Sequence, residues 1–478
     1  MNEKLRTTIS IILITAMLIP AVGAAYVLKN DGTITLDHGN FYIDGVTVDS
    51  YIISLVGVGG GNFDQNLNTT DDVTHENVTV TDTLTVGGVP ITAWDDIVVT
   101  TGPSLNKTGY DWYVWKTGVT YNFLGSNGSL ITDTDFDDIF NSLMLGSDYK
   151  LHVYLDEADY IYDNTLLLLG PTPTVSFGRT PIIQGAGRGR TVLQPADGVD
   201  AITLKRGVSA QIYDLTIDMS TSGAVAYGIY GDPTGGSVAY TECGAYKSQV
   251  KRVAFKGGVS GGAAMYLINT EWCQFGDLHS YMSNGCDGFL FFTNSGSDYS
   301  YCENTFTDFI SVFITGDNTI GMGFFGYNHS HACNLMQGTG YIYIRSASGS
   351  NTTGVWFRYA DYFSMGTFHI EECSTLVDIS YCYSGVLDGG KTYCIADSAG
   401  DTLFKLGLGN YCLSFEHWHL FAGGLNSVEW VSDPRDDANQ YNSFHDITLH
   451  LSGGVFTQDI TVTTSLSLIR EMGAGTFP

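Results

Sequence analysis

One six-residue phrase returns through the second two-thirds of the chain and limits what it can fold into. An aromatic or aliphatic residue is followed by a spacer, a polar corner, then an apolar, any, apolar run. It reads IYDLTI at 212–217, VKRVAF at 250–255, FGDLHS at 275–280, FTDFIS at 306–311, FEHWHL at 415–420 and FHDITL at 444–449. A looser copy is MGTFHI at 365–370. Phe275 to Phe306 is 31 residues and Phe415 to Phe444 is 29, while the 50 from Met365 to Phe415 leave room for two turns. A period near 30 that carries strands and no helices makes a coil of stacked rungs. At ~4.8 Å per rung, about ten rungs between residues 150 and 470 give a rod about 50 Å long.

Composition agrees. The 478 residues include 58 Gly and 29 Tyr against 10 Pro, with 44% hydrophobic and 15% charged residues, which favours a β-rich, turn-rich chain with a large core. Fifty acidic residues against 21 basic ones give a formal charge of −29, a field that repels nucleic acid and anionic lipid. All nine cysteines lie beyond residue 240, and Cys273, Cys302 and Cys333 follow one another at near the rung period. That spacing predicts small apolar side chains stacked inside the coil, not a zinc site.

Toward the beginning, Lys4 and Arg6 precede an apolar run from Ile9 to Val22 and the small residues Gly23, Ala24 and Ala25. Residues 1–25 therefore read as an export signal or a retained anchor, and as the chain's sole membrane contact if uncleaved. The expected location is extracellular, on a cell or virion surface. Sequons stand at Asn68, Asn77, Asn106, Asn127, Asn328 and Asn351, as in a glycoprotein or by chance in an Asn/Thr-rich chain. Residues 26–61 alternate like short strands and end in a glycine-rich hinge, an attachment element; residues 62–98 carry Thr and Val at period two, as a thin β stem would. Residues 99–131 form an unassigned connector. A short helix follows, capped by Asp133 or Asp135, with Phe136, Ile139, Phe140 and Leu143 on one face.

Two resemblances rest on motifs. LNTTDDV (67–73) before LTVGG (84–88) is similar to a repeat of phage tail fibres. VYLDEADY (153–160), IIQGAGRGRTVL (182–193) and IYDLTIDM (212–219), in that order after a capping helix, resemble the pectate-lyase-like family that includes phage tailspikes. The resemblance implies an all-β fold, a right-handed single-stranded parallel β-helix over 132–470 with a C-terminal tail at 471–478. It implies a polysaccharide or surface glycan as partner and a homotrimer, but no single chemistry, because such folds carry lyases, hydrolases and inert fibres. Three functions follow: a tailspike-like or adhesin-like host-recognition protein, a secreted polysaccharide lyase or glycoside hydrolase, or a structural subunit of a sheath or surface layer.

Asp214, Asp277, Asp308 and Asp446 occupy the same place in four rungs. Aligned carboxylates suit Ca²⁺, the one ion to consider in a chain otherwise expected to need no cofactor, or acid–base work. The place is a turn, however, where other rungs put Arg252, Thr367 or His417, and a corner ladder explains it better. The outward face of the next strand should carry Thr216 and Asp218, Ala254 and Lys256, His279 and Tyr281, Ile310 and Val312, Tyr343 and Arg345, His369 and Glu371, Trp418 and Leu420, then Thr448 and His450. From it we take Glu371 and His369 as candidate catalytic residues and His279, Tyr281, Tyr343 and Arg345 as substrate-binding, since aromatic rings stack on sugars and Arg pairs with carboxylates. Ile310, Val312, Trp418 and Leu420 on the same strip would instead mark a subunit contact. No metal is expected at His329, His331 and Cys333, or at His417 and His419, and GAGRG (185–189) lacks the Lys and helix of a phosphate loop.

Overall fold

The structure, a computed structural model, describes residues 110–145, 151–170, 180–233, 244–294, 302–390, 401–421 and 441–450 with their side chains, and the backbone of further short strands toward both ends. The chain divides into two units, Met1–Asn106 and Lys107–Pro478. In the first, Ala24–Leu28 pairs antiparallel with Ile34–His38 and parallel with Tyr42–Ile43, which turns back on Val46–Thr47. Leu84–Val86 and Val89–Ile91 make a separate antiparallel pair. Most of the export segment and of the stem, with Asn68, Asn77 and Asn106, lies outside the described residues.

The second unit is a right-handed parallel β-helix. Eleven strands, from Leu166–Leu169 to Val455–Asp459, stack in parallel as one sheet. A longer sheet, bent at its corners, forms the other faces, and within the coil its strands pair in parallel with the equivalent strand one coil on. Before the coil, Trp112–Thr117, Thr120–Gly125 and Leu130–Asp133 form an antiparallel meander within the stretch that the sequence left unassigned. Its first strand pairs in parallel with Lys150–Leu155 and so starts the long sheet.

The helix Phe136–Gly146 seals this end. Asp135 accepts the Asp138 amide at 3.4 Å as N-cap, while Asp133 accepts the Thr134 amide at 2.6 Å. Phe136, Ile139, Phe140 and Met144 are buried on its inner face. Its Asn141 accepts the Leu167 amide at 2.8 Å and donates to the Thr165 carbonyl at 3.0 Å. Those groups would otherwise be the open edge of the first rung, a template for another chain.

Every phrase but FTDFIS folds as its pattern requires. The leading residue and the two apolar positions after the corner point inward: Ile212, Leu215 and Ile217 are fully buried, whereas in the FTDFIS rung the residues after the corner that point inward are Ile310 and Val312, one place later. Inside the coil equivalent residues stack, as in Phe275 on Phe306 at 5.5 Å, Phe291 on Phe324 at 5.3 Å and Phe415 on Phe444 at 4.4 Å between ring centroids. Cys273, Cys302 and Cys333 are buried there as free thiols. Burial pushes the Cys333 thiol far above its ordinary value, which leaves it unreactive.

The polar corner is a left-handed turn. Asp214, Arg252, Asp277, Asp308, His417 and Asp446 all have φ between 50° and 59°. Asp tolerates this conformation because its short side chain bonds locally, so the aspartate column reflects backbone geometry. Side chains there pair along the rod: Arg252 makes two bonds to Asp214, at 2.5 and 2.9 Å.

Two rungs of the expected outward strip are corrected. Ile310 and Val312 are core residues, because this rung has one residue more than its neighbour: Gly276 pairs with Thr307 but Leu278 pairs with Ile310. The extra residue, Phe309, reverses the alternation beyond it and turns Ser311 and Phe313 outward. Trp418 and Leu420 are also fully buried. Trp418 packs on Phe368 and Phe404, and its indole donates to the Leu387 carbonyl at 3.0 Å. The left-handed corner is His417, so alternation after it places His419 and Phe421 outward. The four apolar residues that suggested a subunit contact therefore belong to the core.

Candidate functional site

The six residues chosen from the sequence share one face of the long sheet. It is built by the strands Thr270–Met282, Glu303–Thr315, Tyr341–Ser348 and Phe368–Glu371. Parallel pairing aligns them in two rows: His279, Ser311, Tyr343 and His369; and Tyr281, Phe313, Arg345 and Glu371. Four strands at ~4.8 Å make a strip about 15 Å long.

At one end of the strip the side chains form a hydrogen-bonded chain. Glu371 bonds through Oε1 to His369 Nε2 at 2.8 Å and accepts the Tyr343 hydroxyl on Oε2 at 2.8 Å. His369 Nδ1 lies 2.6 Å from the Tyr341 hydroxyl. One set of donors satisfies these three bonds: Tyr341 donates to Nδ1, Nε2–H donates to Glu371 Oε1, and Tyr343 donates to Oε2. Partial burial, then the Glu371 carboxylate, push the Tyr343 hydroxyl up to about 12. Arg345 is spoken for by Glu372, with two bonds at 2.9 and 2.8 Å, and stands 4.0 Å from Glu371.

The other end centres on His279. Its Nδ1 is 2.8 Å from Ser311 Oγ, its Nε2 is 3.3 Å from Asp277, and Asp277 accepts Arg188 at 3.0 Å. Burial, then the Arg188 charge, lower the His279 pKa and favour the neutral ring. Ser, His and Asp follow one another as in a nucleophilic triad, yet Ser311 is 2% exposed and its hydroxyl is closed to a substrate. Tyr281, 52% exposed, lies flat on Phe313 at 5.1 Å with 7° between the rings, and Phe313 meets Tyr343 edge-on at 5.3 Å. Aromatic faces thus link the two polar ends.

Four residues of the strip escaped sequence reasoning. Tyr341 was within reach, two positions before Tyr343 on an alternating strand, and Glu372 stands beside Glu371. Ser311 and Phe313 were hidden by the extra residue in their rung.

The other clusters are structural. His329 pairs with Asp361 at 3.3 Å and stacks on Tyr383, while His331 bonds Asn328. His417 lies 3.2 Å from Asp388. In GAGRG, Gly187 and Gly189 take positive φ in a tight turn. Among the described residues, Asp135, Asp137 and Asp138 group closely enough for one ion, beside a cleft of about 420 Å³ at the capped end. Asp137 is committed to the fold, where it accepts Asn164 at 2.7 Å and the Asp163 amide at 3.4 Å.

Fold and strip together define a right-handed parallel β-helix protein with a polar and aromatic band along one sheet. No family model matches the sequence, and no curated protein does. Among solved structures, the chain is similar to the A-module of the mannuronan C-5 epimerase AlgE4 of Azotobacter vinelandii, at TM-score 0.43 and 11% identity over 72% of this chain and 93% of that one. The AlgE6 A-module of the same organism gives 0.38 and 12% over 70% and 94%, and the family 28 exopolygalacturonase of Yersinia enterocolitica gives 0.28 and 9% over 74% and 83%. These likenesses carry no information on chemistry. No helix among the described residues is long and apolar enough to cross a membrane.

Proposed function

We propose that this protein is an extracellular, tailspike-like or adhesin-like β-helix that recognises surface glycans across the strip from His279 to Glu371. The observation that carries the reading is the composition of that strip: two fixed polar ends joined by the stacked rings of Tyr281 and Phe313. Sugars offer such a surface both apolar ring faces and hydroxyls. Recognition is favoured over hydrolysis by the placement of the carboxylates. Hydrolysis requires an acid on one side of the bond and a base or nucleophile on the other, whereas here the adjacent Glu371 and Glu372 are engaged by His369 and Tyr343 and by Arg345.

A second reading rests on the chain from Tyr341 through His369 and Glu371 to Tyr343, which can accept a proton at one end and release it at the other. In that case Glu371 and His369 perform acid–base cleavage of the bound glycan. The homotrimer is a separate proposal, tested by light scattering, where a monomer refutes it.

The test is incubation with a panel of acidic and neutral polysaccharides. Absorbance near 235 nm, on the order of the region where unsaturated sugars absorb, and release of reducing ends are followed together with binding on a glycan array. Binding without turnover supports recognition, and turnover supports the second reading. Glu371→Gln should then lower the rate by about 10²-fold or more. Neither binding nor turnover overturns both.

A further inference from the structure

A second surface lies where the eleven-stranded sheet turns into the long sheet. We infer that this corner is a separate glycan platform, which holds a neutral polysaccharide along the rod by stacking on a ladder of exposed tyrosines. Asp361, Tyr383 and Tyr411 pair in parallel register on consecutive coils. Tyr383 meets Tyr411 at 6.0 Å and Tyr411 meets Tyr441 at 5.3 Å. The ladder continues through His329, stacked on Tyr383 at 4.0 Å with 6° between the rings, to Tyr359, which stacks on Tyr381 at 4.8 Å. Asp361 holds His329 in place.

The backbone at this corner disfavours tyrosine. Tyr359, Tyr362, Tyr381 and Tyr441 have φ of 49° to 58°, a conformation that a bulky side chain adopts at a cost. Elsewhere in this chain Asn269, Asn284 and Asn318 fill such positions. At Tyr362 and Tyr441 burial does not offset that cost, since each is 62% exposed. Strained backbone and exposed aromatic surface at one corner of successive coils point to a partner that stacks on rings. Four rungs span about 15 Å, a few sugar units. The formal charge of −29 disfavours a polyanion, so the occupant is a neutral glycan.

The test uses the full chain, a panel of neutral polymers (β-glucan, galactomannan, xyloglucan, dextran) and polygalacturonate as the anionic control. The wild type should bind at least one neutral polymer in preference to the control. Tyr383→Ala/Tyr411→Ala should weaken that binding about ten-fold or more. Tyr362→Gly/Tyr441→Gly, which relieves the positive φ, should weaken it while leaving the unfolding midpoint unchanged or raised, and decides the matter if the alanine pair fails to fold. Combined with Glu371→Gln, the tyrosine variants should cost this binding the same factor as they do alone, which separates this platform from the strip. Three results overturn the inference: no neutral polymer bound, binding untouched by the variants, or self-association of the wild type that the variants abolish, which makes the corner a contact between copies.

Discussion

Replacing Asp287 by asparagine tests how the coil tolerates charge in its wall. Asp287 opens the strand Asp287–Phe292, and its Oδ1 accepts the Ile320 amide of the next coil at 2.7 Å. Burial pushes its carboxyl up to about 6 from an ordinary 3.8, and the Ile320 amide only partly opposes this. A raised carboxylate pKa means that the folded state holds the proton over a range where the unfolded chain has lost it. Stability therefore falls as pH rises from about 4 to about 6, and the deficit persists above it. The gap between the two values is worth about 3 kcal/mol at most. Asn keeps the acceptor for Ile320 and cannot ionise, so Asp287→Asn should equal the wild type near pH 3.5 and exceed it by up to ~3 kcal/mol at pH 7. At roughly 2 cal/mol/K per residue over Lys107–Pro478, that is about 4 °C in the melting midpoint. The assay is circular dichroism melting of both proteins at one scan rate between pH 3.5 and pH 7. A variant that melts at or below the wild type at pH 7, or a gap that does not close in acid, refutes the reasoning.

Further expectations concern the core and the strip. Trp418→Ala should cost about 3–5 kcal/mol in denaturant unfolding, as a core aromatic does; loss of self-association with unchanged stability would argue for an interface residue. Asn410→Ala should cost about 3 kcal/mol, because this buried amide bonds the Cys382 amide and the Ile379 and Gly407 carbonyls. Tyr343→Phe should leave the unfolding midpoint within about 2 °C of the wild type while weakening glycan binding at the strip several-fold, measured by titration on the polymer the wild type binds.

The shared face of the candidate site was legible because a strand alternates strictly and a coil repeats. Once the corner is located, its outward side chains follow by counting, and His279, Tyr281, Tyr343, Arg345, His369 and Glu371 do share one face. Counting failed at Phe309, where one added residue reverses every later side chain in that strand. At Trp418 the miss was one of register: counted from the corner at His417, as Leu215 and Ile217 are counted from Asp214, Trp418 and Leu420 fall inward.

The sequence by itself determined the coil, its period, its capping helix and the chemistry of its corners. These depend on local propensity and on repetition along one chain, and both are written in order. Only the tertiary structure decided which partners each polar group takes. The bonds from Arg345 to Glu372, from His369 to Tyr341 and from His329 to Asp361, like the tyrosine ladder from Tyr359 to Tyr441, join residues on different coils. Their contacts depend on the length of every turn between them, and a change of one residue in any turn redirects them.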